Sequence, residues 1–311
     1  MTELKTYLVV NPQSAAGRTG KRFPEISAAL RSAIGEFEHA FTTRANEATE
    51  LTRAALHKGF ERIVAVGGDG TANEVVNGFF ENGKATDSQA VFALIPRGTG
   101  GDFRKTFGWT DELADACQRL ASPKLGPLDV GELRFVDGSG KDALRYFVNV
   151  ASCGISGQVD DNVNKASFKG LGGGKLSFKL ASLKALMGYS NKLVRVRFDD
   201  GPEEKLSQLT CLAVGNGQYF GGGMWVCPNA QPDDGTFDVT IWERFGLKDF
   251  ALRQGAIYNG KHLELPGVRA LRAKKVQAQS DSEVLLDVDG EQPGRLPATW
   301  TVLPAAIRIN R

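Results

Sequence analysis

Apolar, β-branched runs early in this chain stop abruptly at turn-forming residues, and helical spacing resumes beyond them. Residues 6–10 run into Asn11-Pro12, and residues 63–66 into Gly67-Gly68-Asp69-Gly70-Thr71. Residues 90–95 run into Pro96-Arg97-Gly98-Thr99-Gly100, and residues 37–41 read as one more strand. Helices are expected over 21–34, over 47–58 and from about Asn73, where apolar side chains recur at helical spacing. Strand, loop and helix in repetition predict a parallel sheet covered on both faces. Ligands of such sheets sit at the carboxyl ends of the strands. The loops 11–16, 67–71 and 97–102 are therefore where chemistry is expected.

The pattern changes near Pro127. Runs at 128–135, 146–150, 193–198, 209–214, 237–242, 275–279 and 284–288 are short, β-branched or aromatic, with turns between them. They predict a second domain rich in antiparallel strands, interrupted by a helix over about 247–258. Residues 305–309 could return to either domain. The expected division is 1–127, rejoined by 301–311, and 128–300, and a chain of 311 residues has room for both.

Cys117, Cys153, Cys211 and Cys227 form no C-x-x-C pair, and His39, His57 and His262 are equally scattered. That argues against zinc and for reduced thiols in a cytoplasmic setting. A net charge of +2 gives no global reason to expect nucleic acid. The apolar run at 7–10 is too short for a signal-peptide core, and no later window is long enough to span a bilayer.

Gly67, Gly68 and Gly70 let another group approach the backbone closely. The N–H groups of such a turn, and of the helix after it, make a cradle for phosphate. Asp69 inside that cradle would repel phosphate unless it handles a metal or a proton at the phosphate's edge. The same residues also fit a plain strand-to-helix turn capped by Asp69. Gly17-Arg18-Thr19-Gly20-Lys21 looks like the tail of a Walker A loop but has the wrong spacing, and no G-x-G-x-x-G follows a strand.

Read together, the loops carry more. Asn11-Pro12, the run from Val66 to Gly78, Ile95-Pro96-Arg97-Gly98-Thr99-Gly100-Gly101-Asp102-Phe103, Gly221-Gly222-Gly223-Met224, Asp233-Asp234-Gly235 and Asp289-Gly290-Glu291 occur in this order. In content and order the set resembles the diacylglycerol kinase catalytic-domain family, which includes bacterial lipid kinases, sphingosine kinases and ceramide kinases within an NAD kinase-like superfamily. The resemblance implies an α/β nucleotide-binding domain, a β-sandwich-like second domain, and an active site in the cleft between them. It implies ATP on Asn11, Pro12, Gln13, Ser14, Ala15, Thr42, Gly68, Asp69, Gly70, Thr71, Ala72, Asn73, Glu74 and Thr99. Thr42 carries over through its spacing to Glu47-Ala48.

By the same resemblance Glu291 matches the general base, with Asp69 as the other candidate; a carboxylate must take the acceptor hydroxyl's proton. Asp289-Gly290 is also a strong hairpin-turn signal. Gln231, Asp234 and Thr236 match a structural magnesium site, Asp234 through its side chain and the other two through backbone carbonyls, and Asp102 is expected in an acidic network with Asp69 and Asp234. Two departures stand out. Ala15-Ala16-Gly17 replaces the usual glycine after Asn-Pro-x-Ser, and Gly101 replaces the usual asparagine before Asp102.

From Asn162 to Phe198 there is no acidic residue, while Lys165, Lys169, Lys175, Lys179, Lys184, Lys192, Arg195 and Arg197 fall in that window. Leu176, Leu180, Leu183 and Met187 recur within it at helical spacing. A basic amphipathic helix of this kind suits an anionic membrane surface approached from the water side. The expectation is a cytoplasmic, peripherally membrane-associated enzyme that phosphorylates a lipid alcohol with ATP and Mg2+. Diacylglycerol leads as substrate, ahead of ceramide or a sphingoid base, and a homodimer is compatible with the sequence. The rivals are a soluble NAD kinase-like enzyme and a non-catalytic nucleotide or lipid sensor.

Overall fold

The computed structural model describes residues 4–86, 89–159, 161 and 188–311. The chain divides into two compact units, residues 1–130 with 303–311 and residues 131–302.

In the first unit, parallel strands lie in the order Glu38–Phe41, Thr6–Val10, Arg62–Gly67 and Val91–Pro96, followed by the end of Gly294–Asn310. Arg62–Gly67 and Val91–Pro96 are buried along their whole length, as strands covered on both faces must be. Leu8, Val10, Val64, Val66, Ala93 and Ile95 form one core with Phe23, Ile26 and Leu30 of the helix Arg18–Ile34. On the helices Glu47–His57 and Asp69–Gly78, the close approach is at Gly78. A Cβ there would meet Thr52 Cβ at 2.4 Å, so no larger residue fits.

Two helix starts differ from expectation. The first begins at Arg18 rather than Lys21, because Gly17 ends the preceding turn at φ 80°. The other begins at Asp69 rather than near Asn73. The glycines that suggested an open turn are partly helical, and Gly68 rather than Asp69 is the residue before the first turn.

The second unit is antiparallel. Val268–Ala273, Phe237–Glu243, Glu204–Gly215, Lys192–Phe198, Lys275–Gln279 and Gly294–Asn310 are successive neighbours. The second half of Glu204–Gly215 also pairs with Val150–Gly154, which pairs in turn with Leu286–Val288. Leu125–Asp137 pairs with Asp142–Phe147. Their inward faces meet in a core holding Phe147, Phe237, Val239, Val276, Leu286 and Trp300. The expected strand at 146–150 is two strands, broken between Phe147 and Val150. The helix Leu247–Tyr258 lies where it was expected.

Candidate active site

The three loops of the first unit are tied to one another. Asn11 N donates to Val66 O at 3.0 Å, and Asn11 Nδ2 to Thr71 Oγ1 at 3.2 Å. Asn11 Oδ1 accepts Gln13 N at 3.0 Å, which starts the turn from Pro12 to Gly17. Pro12 O and Ser14 O accept the N–H groups of Gly20 and Thr19. Ala15, Ala16 and Gly17 then take φ values of 53°, 58° and 80°. The two alanines sit in the left-handed region where glycine is at home, which costs each of them roughly 1 kcal/mol.

The loops after Arg62–Gly67 and Val91–Pro96 touch backbone to backbone. A Cβ on Gly98 would stand 2.6 Å from Gly68 Cα, and one on Gly68 would stand 3.1 Å from Gly98 Cα. Arg97 N donates to Gly67 O at 2.6 Å. Asp69 completes the tie: its carboxylate accepts Asp102 N at 3.0 Å and Phe103 N at 3.1 Å. An aspartate can therefore belong to a phosphate cradle, because its charge is directed to the neighbouring loop. The first turn of Asp69–Gly78 has no side-chain cap, so its N–H groups remain for an anion.

Burial pushes the Asp69 ionisation up, and the Asp102 carboxylate adds to it; the two N–H donors and Lys105 oppose the shift. Both acids border Gly100, where a Cβ would lie 3.2 Å from Asp69 Oδ2 and 3.9 Å from Asp102 Oδ2. Lys105 Nζ meets Asp102 Oδ1 at 2.6 Å, a partner one helical turn away.

Other expected nucleotide contacts are placed as follows. Thr42 N bonds Val10 O at 2.9 Å, just past the strand end. Glu74 Oε2 accepts Ala48 N at 3.2 Å and so serves the preceding helix, Glu47–His57. Thr71, Ala72 and Asn73 are buried, whereas Thr99 is exposed at the loop tip. Gly70 follows Asp69 within the first helical turn.

Asp234 and Glu291 belong to the second unit. Val288-Asp289-Gly290-Glu291 is a tight hairpin with φ 49° at Asp289 and 87° at Gly290, closed by the Val288–Glu291 bridge. Asp289 accepts the N–H groups of Val148, Asn149 and Val150 at 3.2, 3.2 and 3.0 Å. Asp287 accepts Gly290 N at 3.0 Å and Ser152 Oγ at 3.0 Å. Glu291 differs from both. Its side chain is 44% exposed and its Oε2 is bound by Arg145 Nη2 at 2.6 Å. Arg145 and Asp287 could not have been found in the sequence, since neither lies in a motif.

These loops and this hairpin belong to sequences already recognised as a group. Residues 5–133 match the family described as diacylglycerol kinase catalytic domain. Residues 149–311 match the YegS C-terminal NAD kinase beta sandwich-like domain. A protein of Chromohalobacter salexigens called a probable YegS-like lipid kinase is 31% identical over 296 residues, 92% of this chain and 86% of that one. This chain is a lipid kinase of the diacylglycerol kinase family. A diacylglycerol kinase of Staphylococcus carnosus is 27% identical to this kinase over 305 residues, 98% of this chain and 94% of that one. The crystal structure of a diacylglycerol kinase from Bacillus anthracis shares the fold, with a TM-score of 0.72 at 22% identity over 100% of this chain and 97% of that one.

Of the expected magnesium ligands of this kinase, Asp234 has partners within the chain. Asp234 Oδ1 accepts Thr236 N and Oγ1, at 3.0 and 2.9 Å, and its Oδ2 is held by Arg272. Arg272 is the cross-strand partner of Asp238, so the strand register brings the guanidinium there. Gln231 is exposed and adds no charge. A guanidinium thus stands against the Asp234 carboxylate. Among the described residues, no three His, Cys, Asp or Glu side chains are grouped to hold a metal. No described helix is long and apolar enough to cross a membrane. The stretch expected to dock on a membrane, 162–198, lies outside the described residues as far as 187, and Lys192, Arg195 and Arg197 fall in the described remainder. Of these, Arg195 is paired in a two-pronged contact with Asp281.

Proposed function

We propose that this lipid kinase transfers the γ-phosphoryl group of ATP to the free hydroxyl of diacylglycerol, giving phosphatidic acid and ADP. The reading rests on one observation: an uncapped helix start lies between two loops fastened by Asp69, in a chain of this family. The N–H groups at Gly68, Gly70 and Thr71 bind phosphate oxygens, and Asn11, through Thr71, fixes the first loop against them. Pro12, Gln13, Ser14, Ala15, Thr42, Ala72, Asn73, Glu74 and Thr99 complete or support the nucleotide site. Magnesium arrives with the substrate, as MgATP, and neutralises charge on the phosphates.

Glu291 is the general base. Asp287 and Asp289 are saturated by N–H and O–H donors, while Glu291 Oε1 has no partner among the described residues. It takes the acceptor's proton as the acceptor oxygen bonds the γ-phosphorus. The bond from that phosphorus to the bridging oxygen breaks and ADP leaves. Asp69 holds the loops and the phosphates in register. The acid-free stretch 162–198 brings the enzyme to an anionic membrane surface, where its substrate resides.

The test is phosphate transfer from labelled ATP to mixed micelles of diacylglycerol, ceramide, sphingosine, monoacylglycerol, phosphatidylglycerol or polyprenol, with NAD as a soluble arm. Diacylglycerol should lead by at least tenfold in kcat/KM. Preference for a sphingoid lipid or for NAD would replace this reading. Anionic vesicles should sediment the protein and release it at high salt, since charge attraction is screened within ~3 Å at 1 M.

A further inference from the structure

We propose that Arg145 is a positioning residue for catalysis: it fixes the carboxylate of Glu291 through one oxygen and leaves the other for the acceptor hydroxyl. The inference rests on the assignment of Glu291 as the base.

The backbone beneath Glu291 is fixed from several sides. Asp289 ties the hairpin to Val148, Asn149 and Val150, the residues that directly follow the strand carrying Arg145. Asp289 N returns a bond to Val150 O at 3.0 Å, and Val288 N bonds Glu291 O at 2.8 Å. These bonds place the Cα of Glu291 but not its carboxylate, which lies beyond three rotatable bonds. Arg145 supplies the missing constraint. Its strand is fixed by pairing with Leu125–Asp137, where it stands opposite Leu133. Its side chain is only 17% exposed, against 44% for Glu291, so the guanidinium is the better-held partner. The contact, Nη2 to Oε2 at 2.6 Å, is charge-assisted and directional. One carboxylate oxygen is anchored and the other has no partner among the described residues. A base that swings through its rotamers spends little time within reach of the hydroxyl, and errors of about 1 Å cost on the order of 100-fold in rate.

The experiment is a double-mutant cycle on kcat with saturating MgATP and the best lipid of the panel. Arg145→Gln should lower kcat about 10- to 100-fold, with KM for ATP within about twofold and the unfolding midpoint nearly unchanged. Arg145→Lys keeps a donor and the charge, and should retain more kcat than Arg145→Gln. In a Glu291→Gln background, removing Arg145 should cost less than threefold, because its effect passes through Glu291. Normal kcat in Arg145→Gln overturns the proposal, as does an equal loss with and without Glu291. If Arg145→Gln unfolds, Arg145→Lys alone decides within the same cycle: a loss of kcat that persists in Glu291→Gln overturns the proposal. A normal kcat in Glu291→Gln itself would show instead that the base was misassigned.

Discussion

Asp69 meets opposing demands. Burial and Asp102 resist its charge, while two backbone N–H groups require it. A carboxylate so engaged is a fastening more than a proton acceptor, and variants separate the two roles. Asp69→Ala should lower kcat by at least ~100-fold and also raise KM for ATP, since both loops are released. Asp69→Asn keeps one acceptor and should fall between the two; a base would instead lose as much in Asn as in Ala, with KM untouched. The raised ionisation has a thermodynamic sign as well. Folded Asp69 takes its proton at higher pH than the unfolded chain does, so its contribution to stability declines as pH rises from the ordinary 3.8 through the raised value. The stability advantage of the native protein over Asp69→Ala should therefore grow on acidification, in urea melts run from pH 7 downward. Gly98→Ala tests the same junction without touching a charge. Its methyl would press on Gly68 Cα, so ATP affinity should fall at least about tenfold. Gly138→Ala, where nothing lies within 4 Å of the new methyl, should be neutral.

Element ends carry the next set of constraints. Past the strand Glu38–Phe41, Glu47 Oε2 accepts Thr43 N, Thr43 Oγ1 and Arg44 N, which lowers its ionisation and shapes the segment after Thr42. A depressed carboxylate stabilises above its unfolded value and loses that effect as pH falls through the folded one. Glu47→Gln should thus be less stable than the native protein at pH 7, with the gap closing below about pH 4.5, the ordinary value. On the strand Val268–Ala273, Arg272 serves Asp234 and Asp238 together. Chelation with EDTA should leave the unfolding midpoint unchanged. Arg272→Ala should cost about 1–2 kcal/mol, less than a fully buried pair because half the arginine is in water, and added magnesium should restore part of it. A midpoint lowered by EDTA in the native protein would return Asp234 to the metal. Strand ends were legible in the sequence because apolar runs stop at Gly, Pro or Asn. The strand Val268–Ala273 was not, since Arg269 and Arg272 interrupt its alternation and its outer positions face water. The start of the helix at Asp69 was hidden by glycines that weaken every local helix signal. Glu291 could be read from its motif, but its partner Arg145 stands 146 residues away and only the sheet register brings it near.

At the scale of the molecule, the first unit is completed by residues from the far end of the chain. Residues 303–311 return to it, with Arg308 and Ile309 in register with Val91 and Phe92. Ile307, Ile309 and Asn310 are wholly buried. Asp129 Oδ1 accepts Ala305 N at 2.7 Å, and Arg311 N bonds Lys124 O at 2.9 Å. The strand these residues cover, Val91–Pro96, ends in the loop that Asp69 clamps. Stability at the C-terminus and the order of the clamped loop are thereby linked through one strand, and nucleotide binding proposed for that loop should follow both. Ile309→Ala should cost about 2–4 kcal/mol through the cavity it leaves. Removing residues 303–311 should do more than sum such losses, because it uncovers a parallel strand edge that expects a partner. The truncated protein should lose the rise in melting temperature that MgATP gives the native chain. Its second-unit core, including Trp300, should still unfold cooperatively when followed by tryptophan fluorescence. If MgATP protects the truncated protein as it does the native one, the returning strand does not hold the nucleotide loop, and the link from sheet edge to site is broken.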